Sequence, residues 1–267
     1  MHARFNLDPA RKDWREYFGE GKRIYNEYKA NVVKDLKRFE SPRGILQAKD
    51  IIENWFPAID ADVFLSHSHK DEPLIIGLAG WLHKEFGLKP FIDSTVWGYS
   101  DELLRVIDNE CDQYKKYETY NYYRRNRSTS HVHMMLSTAL MDMMDRCECL
   151  IFVNTPNSFI PNDYLMSQGE TESPWIYSEI AMTRMLRQKP PKEHRAKAVY
   201  DGVNASLEHI KEANELRVAY PLDTLHLTPL TLSDLDHWMS RKRTDTRNTN
   251  PLDILYEMKA SKGVIVG

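Results

Sequence analysis

Ala61-Asp-Val-Phe-Leu-Ser66, followed by His67-Ser-His-Lys-Asp-Glu72 and then by Leu74, Leu78, Leu82 and Phe86, is the stretch on which the fold turns. The first six residues are a short apolar run of β-formers, the next six a polar loop, and the four-residue spacing after them marks an amphipathic helix. Gly87 stands where that helix should stop. Pro90-Phe-Ile-Asp93 reads as a second short strand, and Ser100 is placed to cap a helix carrying Leu103, Leu104 and Ile107. A β-α-β-α rhythm predicts a parallel sheet covered by helices.

Working outward, residues 112–130 break this rhythm with a Tyr-, Lys- and Arg-rich segment, read as an inserted loop or irregular helix. Val132, Met135, Leu136, Ala139, Leu140 and Met143 restore an apolar helical stripe, with Met filling interior gaps. Cys149-Leu-Ile-Phe-Val153 reads as a buried strand. Ser173-Pro174 opens another helix, since Ser caps well and Pro is best tolerated at the first helical position; it should run to about Leu186. Leu216-Arg-Val-Ala-Tyr-Pro221 is a further candidate strand, and a short helix is expected over residues 251–259 after a polar break at 241–250. Toward the N-terminus, residues 14–56 read as two helices separated by Ser41-Pro-Arg-Gly44. The chain therefore divides into a helical N-terminal extension, residues 1–58, and an α/β domain, residues 59–267, with an insertion around 112–130 and a helical C-terminal tail.

Composition narrows the function classes. With 36 basic against 39 acidic side chains and a net charge of -3, there is no global field to attract nucleic acid or an anionic membrane. Tyrosines and basic residues interleave over residues 114–127, the texture of a nucleic-acid surface, but the overall charge favours a packed insertion there. Cys111, Cys147 and Cys149 are odd in number and badly spaced for a mutual disulfide, which points to reduced thiols and a cytoplasmic setting. No apolar run approaches the length of a membrane span. His67, His69 and Asp71, like His131 and His133, lack the third or fourth ligand a zinc site needs, so no metal is expected.

The pair Trp175-x-x-x-Glu179 carries the chemistry. Four residues apart on a helix, an indole and a carboxylate project side by side. Such a pair suits a sugar nucleotide: the ring packs on a planar group, and the carboxylate binds ribose hydroxyls and stabilises positive charge at an anomeric carbon.

Three blocks, in order, resemble a known family. Asp62-Val-Phe-Leu-Ser-His-Ser-His-Lys-Asp71 resembles the first strand and following loop of Toll/interleukin-1 receptor (TIR) domains. Pro90-Phe-Ile-Asp-Ser-Thr-Val-Trp-Gly98 resembles their second strand and mobile loop, and Ser173-Pro-Trp-Ile-Tyr-Ser-Glu179 resembles the signature of TIR enzymes that consume NAD. The similarity spans residues 59–220, and its style is that of the TIR subunit of Thoeris anti-phage systems. The resemblance implies a flavodoxin-like fold with ligands beyond the carboxyl ends of the strands. It also implies Glu179 as the catalytic glutamate and Trp175 as its structural or stacking neighbour. Phe64, Ser66, His67 and Ser68 would line the ribose and phosphate region, with Asp93 and Ser173 at the same end and Trp97 and Tyr99 covering a base from the mobile loop. NAD would be a substrate and no cofactor would be required. Self-association through TIR–TIR contacts and a downstream effector reached by a diffusible ADP-ribose-derived product are implied as partners. Two other readings stay open: a non-catalytic TIR scaffold, and a nucleoside deoxyribosyltransferase-like enzyme.

Overall fold

In the computed structural model, residues 1–10, 12–29, 46–56, 59–111, 122–162, 168–195 and 219–261 are described. The elements are β1 (Ala3–Leu7), α1 (Phe18–Lys29), α2 (Ala48–Trp55), β2 (Val63–Ser66), α3 (Glu72–Phe86), β3 (Pro90–Ile92), α4 (Ser94–Cys111), α5 (Tyr122–Arg146) and β4 (Cys149–Val153). They continue with β5 (Ile160–Pro161), β6 (Gln168–Thr171), α6 (Pro174–Met185), α7 (Pro191–Arg195), β7 (Tyr220–Asp223), β8 (Thr228–Leu230), α8 (Leu232–Thr244) and α9 (Pro251–Ser261). Five strands form one parallel sheet in the order β3-β2-β4-β1-β8, and β5-β6-β7 form a small antiparallel sheet.

Period-two alternation sorts the sheet's side chains onto two covered faces. Phe64, Phe91, Leu150 and Phe152 enter a core with residues of α2, α4, α5 and α6. Val63, Leu65, Ile92, Cys149, Ile151 and Val153 enter a second core with residues of α3, α8 and α9. Both faces being dry, β2 and β4 are continuously apolar, as strands of a helix-covered parallel sheet should be. Helix α3 ends where the sequence places its stop: Gly87 takes φ 70°, and its N–H bonds the carbonyl of His83 at 2.8 Å.

The N-terminal segment departs from expectation. Instead of belonging to a purely helical extension, residues 3–7 are a strand inside the main sheet, pairing in register with β4 from Ala3↔Cys149 to Leu7↔Val153 and with β8 on the other side. Ala3, Phe5 and Leu7 are fully buried. The signal was the alternation Met1-His-Ala-Arg-Phe-Asn-Leu7, which has no continuous apolar run because Arg4 and Asn6 point to the opposite face from Phe5. Those polar groups are met there: Arg4 donates to the carbonyl of Leu186 at the C-terminal end of α6 at 2.7 Å, a favourable place for a cation, and Asn6 Nδ2 donates to Thr224 Oγ1 at 3.3 Å. In the flavodoxin order 2-1-3-4-5 the fourth place goes to the strand that follows the third in sequence. Here β1 takes it, while the chain after β4 builds the small sheet and returns to the edge as β8.

Three further expectations are corrected. Residues 94–99, expected as a mobile loop, are the first turns of α4, and Ser100 lies inside that helix. Asp93 immediately precedes the helix, its Oδ1 accepting the Ser94 N–H at 2.7 Å. Of the expected insertion, residues 122–130 are helical and belong to α5, while residues 112–121 lie outside the described residues. The strand expected over 216–221 starts at Tyr220 and pairs antiparallel with β6, not within the main sheet. The break at 41–44 also lies outside the described residues.

Candidate functional site

Strand register brings the site together. Phe64 pairs with Phe91 and Leu65 with Ile92, so the next residues along, Ser66 and Asp93, stand at one level at the carboxyl ends of β2 and β3. Two-residue periodicity gives them the face of Phe64 and Phe91, the face α6 covers. Helix α6 starts where its local sequence demands, with Ser173 Oγ accepting the Ile176 N–H at 3.3 Å and Pro174 in the first turn. Ile176, Glu179, Ile180 and Thr183 follow at helical spacing and are buried. The Ser66 hydroxyl donates to Glu179 Oε2 at 2.6 Å.

Beside this contact lies an ion pair. His67 Nδ1 is 2.6 Å from Asp93 Oδ1, and Ser66, His67, Asp93 and Glu179 are each no more than 1% exposed. Burial pushes the Glu179 carboxyl well above the ordinary carboxylate range, the negative charge of Asp93 raises it further, and the Ser66 hydroxyl opposes only part of this. Burial, the largest influence on His67, acts to lower it, but Asp93, the Leu65 carbonyl and Glu72 together raise the imidazole, favouring its charged form. Burial and Asp93 thus favour the protonated form of Glu179, while Asp93 favours the charged form of His67. Asp93 is the neighbouring carboxyl that acts on Glu179. Glu179 Oε1, Asp93 Oδ2 and His67 Nε2 are all buried without a partner.

The loop after β2 is tied to the loop after β4. Asp71 accepts from Thr155 Oγ1 and from Asn157 Nδ2, the latter at 2.7 Å, and Ser158 Oγ bonds the carbonyl of Val153 at 2.9 Å. This clamp joins the strands between which the chain's direction of winding reverses, the place where open α/β sheets bind ligands. Replacing Asp71 by Ala leaves two donors without their acceptor, and we expect it to lower stability by about 1–2 kcal/mol, since one side of the clamp is solvated. Urea denaturation of the variant beside wild type measures it; an unchanged midpoint contradicts the clamp.

The remaining expected site residues separate from this cluster. Phe64 is core, its ring 5.2 Å from that of Phe91, on the same face of β2 as Ser66. Ser68 accepts from the Lys70 N–H and caps the short turn of residues 69–71. Ser173 is spent on capping α6. Trp175 packs edge-on against His133 of α5, ring centroids 5.4 Å apart, so the indole fastens α6 to α5. Trp97 and Tyr99 lie on the backbone of α4, and their side chains lie outside the described structure. What the residue reading missed was the pairing itself: His67 with Asp93, and Asp71 with Thr155 and Asn157. Neither has a local spacing signal, because each joins different strands.

Among the described residues, two cavities lie away from this cluster. One, of about 430 Å³, is lined by Trp14, Phe18 and Leu74. The other, of about 600 Å³, lies between the small sheet and the outer face of α6, lined by Tyr177, Ala181, Arg184, Met185 and Leu222. Neither is lined by Glu179, which faces the sheet. Among the described residues no group of three or more His, Cys, Asp or Glu side chains is arranged to hold a metal ion, and no helix is long and apolar enough to cross a membrane. No family model, no curated protein and no solved structure matches this chain.

Proposed function

We propose that this chain is an enzyme of the NAD-consuming TIR type, breaking the bond between nicotinamide and ribose with Glu179 as its catalytic group. The observation that carries this reading is one carboxyl, buried and bonded to Ser66, at the carboxyl end of a parallel sheet beside its switch point. Cleavage builds positive charge at the anomeric carbon as the pyridine ring leaves. Once ionised, the Glu179 carboxyl, held in a dry site, stabilises that charge far better than water does. Ser66 orients the carboxyl, and the His67–Asp93 pair keeps a second negative group beside it. Water, an internal nucleophile of the nucleotide or another base can then take the ribosyl carbon, giving linear, cyclic or exchanged products.

The wider reading is cytoplasmic anti-phage signalling of the Thoeris type, with activation by self-association and a diffusible product read by an effector. It is tested by incubating the purified chain with NAD, at concentrations that do and do not promote assembly, and identifying products by mass spectrometry. Nicotinamide with an ADP-ribose species is the expected result; its absence under every condition removes the enzymatic reading. A parallel incubation with a deoxynucleoside and a free base separates deoxyribosyl transfer. The near-complete closure of Glu179 favours one second reading, a non-catalytic scaffold, and NAD turnover decides between the two.

A further inference from the structure

Exposed apolar side chains gather away from Glu179, in the cleft of about 600 Å³ between α6 and the small sheet. Tyr177 and Met185 line it, and they are 40% and 74% exposed. The volume falls in the range of small-molecule sites, which are apolar clefts carrying a few placed polar groups. Here the polar groups are fixed before any ligand arrives. Arg184 Nη2 lies 2.9 Å from Asp223 Oδ2 and donates to the Asp223 carbonyl at 2.7 Å, while Arg184 Nε donates to His226 Nδ1 at 3.3 Å. Thr183 Oγ1 donates to the Ile180 carbonyl at 2.6 Å, so in its 2.7 Å contact with His226 Nε2 the imidazole is the donor. The ring hydrogen therefore sits on Nε2, and Nδ1 is left to accept from Arg184.

Charge and shape both narrow the ligand. Among the described residues that line the cleft, Arg184 is the one cation and Asp223 the one anion, and they are paired. Burial, and then the charge of Arg184, lower His226 to about 4, so that ring is neutral at pH 7 and adds nothing. No cation is left over for a phosphate or carboxylate, and no anion for an amine. A charged ligand would shed its water without gaining a counter-charge. The surfaces offered are suited to a flat ring. Tyr177 is braced by stacking on Tyr220, ring centroids 5.2 Å apart at 25°, and the guanidinium of Arg184 is already ordered by its three contacts. A braced phenol, a planar guanidinium and the pliable thioether of Met185 each favour an aromatic face over an aliphatic one. Asn162 and Gln168 bring amide side chains that can meet a polar ring edge.

We propose that the cleft between α6 and the small sheet is a second binding site, separate from Glu179, and that it takes a flat, uncharged aromatic molecule stacked on Tyr177 beside Arg184 and Met185. The site stands independently of the proposed NAD chemistry, since Glu179 does not line it and none of the groups invoked for cleavage takes part in it.

The test uses the full chain and three probes that share one ring and differ in charge at pH 7: indole-3-acetamide, uncharged, indole-3-acetate, an anion, and tryptamine, a cation. Calorimetry measures affinity, and spectra of methyl-labelled methionine report where the ring sits. The amide should bind about tenfold or more tightly than either charged probe. Its ring current should move the Met185 methyl resonance, assigned through Met185→Leu. Tyr177→Ala should weaken binding about tenfold by removing the stacking platform. Ala181→Phe, which fills the cleft from α6 without altering its polar groups, should abolish binding; if that variant does not fold, Tyr177→Ala decides. Glu179→Gln should bind the amide as the wild type does. No binding of the amide, equal binding of the three probes, an unmoved Met185 methyl, full affinity in Tyr177→Ala, or binding that survives in folded Ala181→Phe overturns the proposal. Loss of binding in Glu179→Gln overturns it as well, by placing the ligand on the other side of α6. NAD turnover is not a readout here, so the enzymatic reading and this site can fail separately.

Discussion

Replacing Glu179 with Gln will suppress nicotinamide release from NAD by about 10²–10³-fold or more while leaving the fold intact. The amide keeps the shape of the carboxyl, and its oxygen can still accept the Ser66 hydroxyl now bonded at 2.6 Å. Its NH₂ can donate to Asp93 Oδ2, which has no partner in the wild type. What is lost is the capacity to become negative opposite a developing cation. Stability should move differently from activity, and the sign follows from the raised ionisation of Glu179 in the folded chain. The stability contributed by its bound proton is fully present below the ordinary carboxyl range and is lost as pH rises through the elevated folded-state value. Glutamine does not titrate, so the variant should gain thermal stability over wild type as pH becomes alkaline and show no such gain near pH 4. Chromatography of nicotinamide and melting curves across pH measure the two effects. A variant that turns over NAD within tenfold of wild type would show that another group does the chemistry.

The second large effect is expected far from the site, where α1 crosses α3. Gly21 and Gly80 let the two backbones touch: a Cβ on Gly21 would lie 2.7 Å from the carbonyl carbon of Ile76, and one on Gly80 would lie 2.7 Å from the Gly21 nitrogen. These neighbours are main chain and cannot swing aside, so the helices must part. Gly77 repeats the arrangement against Trp14, whose ring packs into the same core as Trp81 and Leu82. We expect Gly21→Ala to cost about 3 kcal/mol or more, the upper end of overpacking effects, because no side chain can adapt. Gly19, two residues earlier in the same helix, has nothing within 4 Å of the place a Cβ would take. There the change to Ala should stabilise by up to about 1 kcal/mol through helix propensity alone. Opposite signs two residues apart, read as denaturation midpoints, identify a backbone crossing; equal effects would contradict it.

Elements decided by neighbours in sequence were legible. The apolar run ending at Ser66, the αL stop at Gly87 and the Ser173-Pro174 start of α6 depend on residues within one turn of each other, and all three form where the residues indicate. The spacing of Trp175 and Glu179 likewise put both side chains on one helix, though not their partners. The resemblance to a mobile loop and the candidate cap at Ser100 misled at residues 94–99, where a helix forms although Thr95, Val96 and Gly98 are poor helix formers. There the Asp93 carboxylate on the Ser94 N–H and Thr95 Oγ1 on the Ile92 carbonyl, at 2.7 Å each, start the helix.

The sequence by itself thus determined the α/β class, the parallel β2-β3-β4 framework and the presence of a glutamate on the helix that covers it, because these follow from periodicity and capping over a few residues. Only the tertiary structure decided that residues 3–7 complete the sheet between β4 and β8, and that Ser66, His67, Asp93 and Glu179 meet. Those outcomes depend on strand register and on burial. Parallel pairing joins segments far apart in the chain through main-chain bonds that carry no sequence code, and a buried charge takes its state from whichever groups the packing sets beside it.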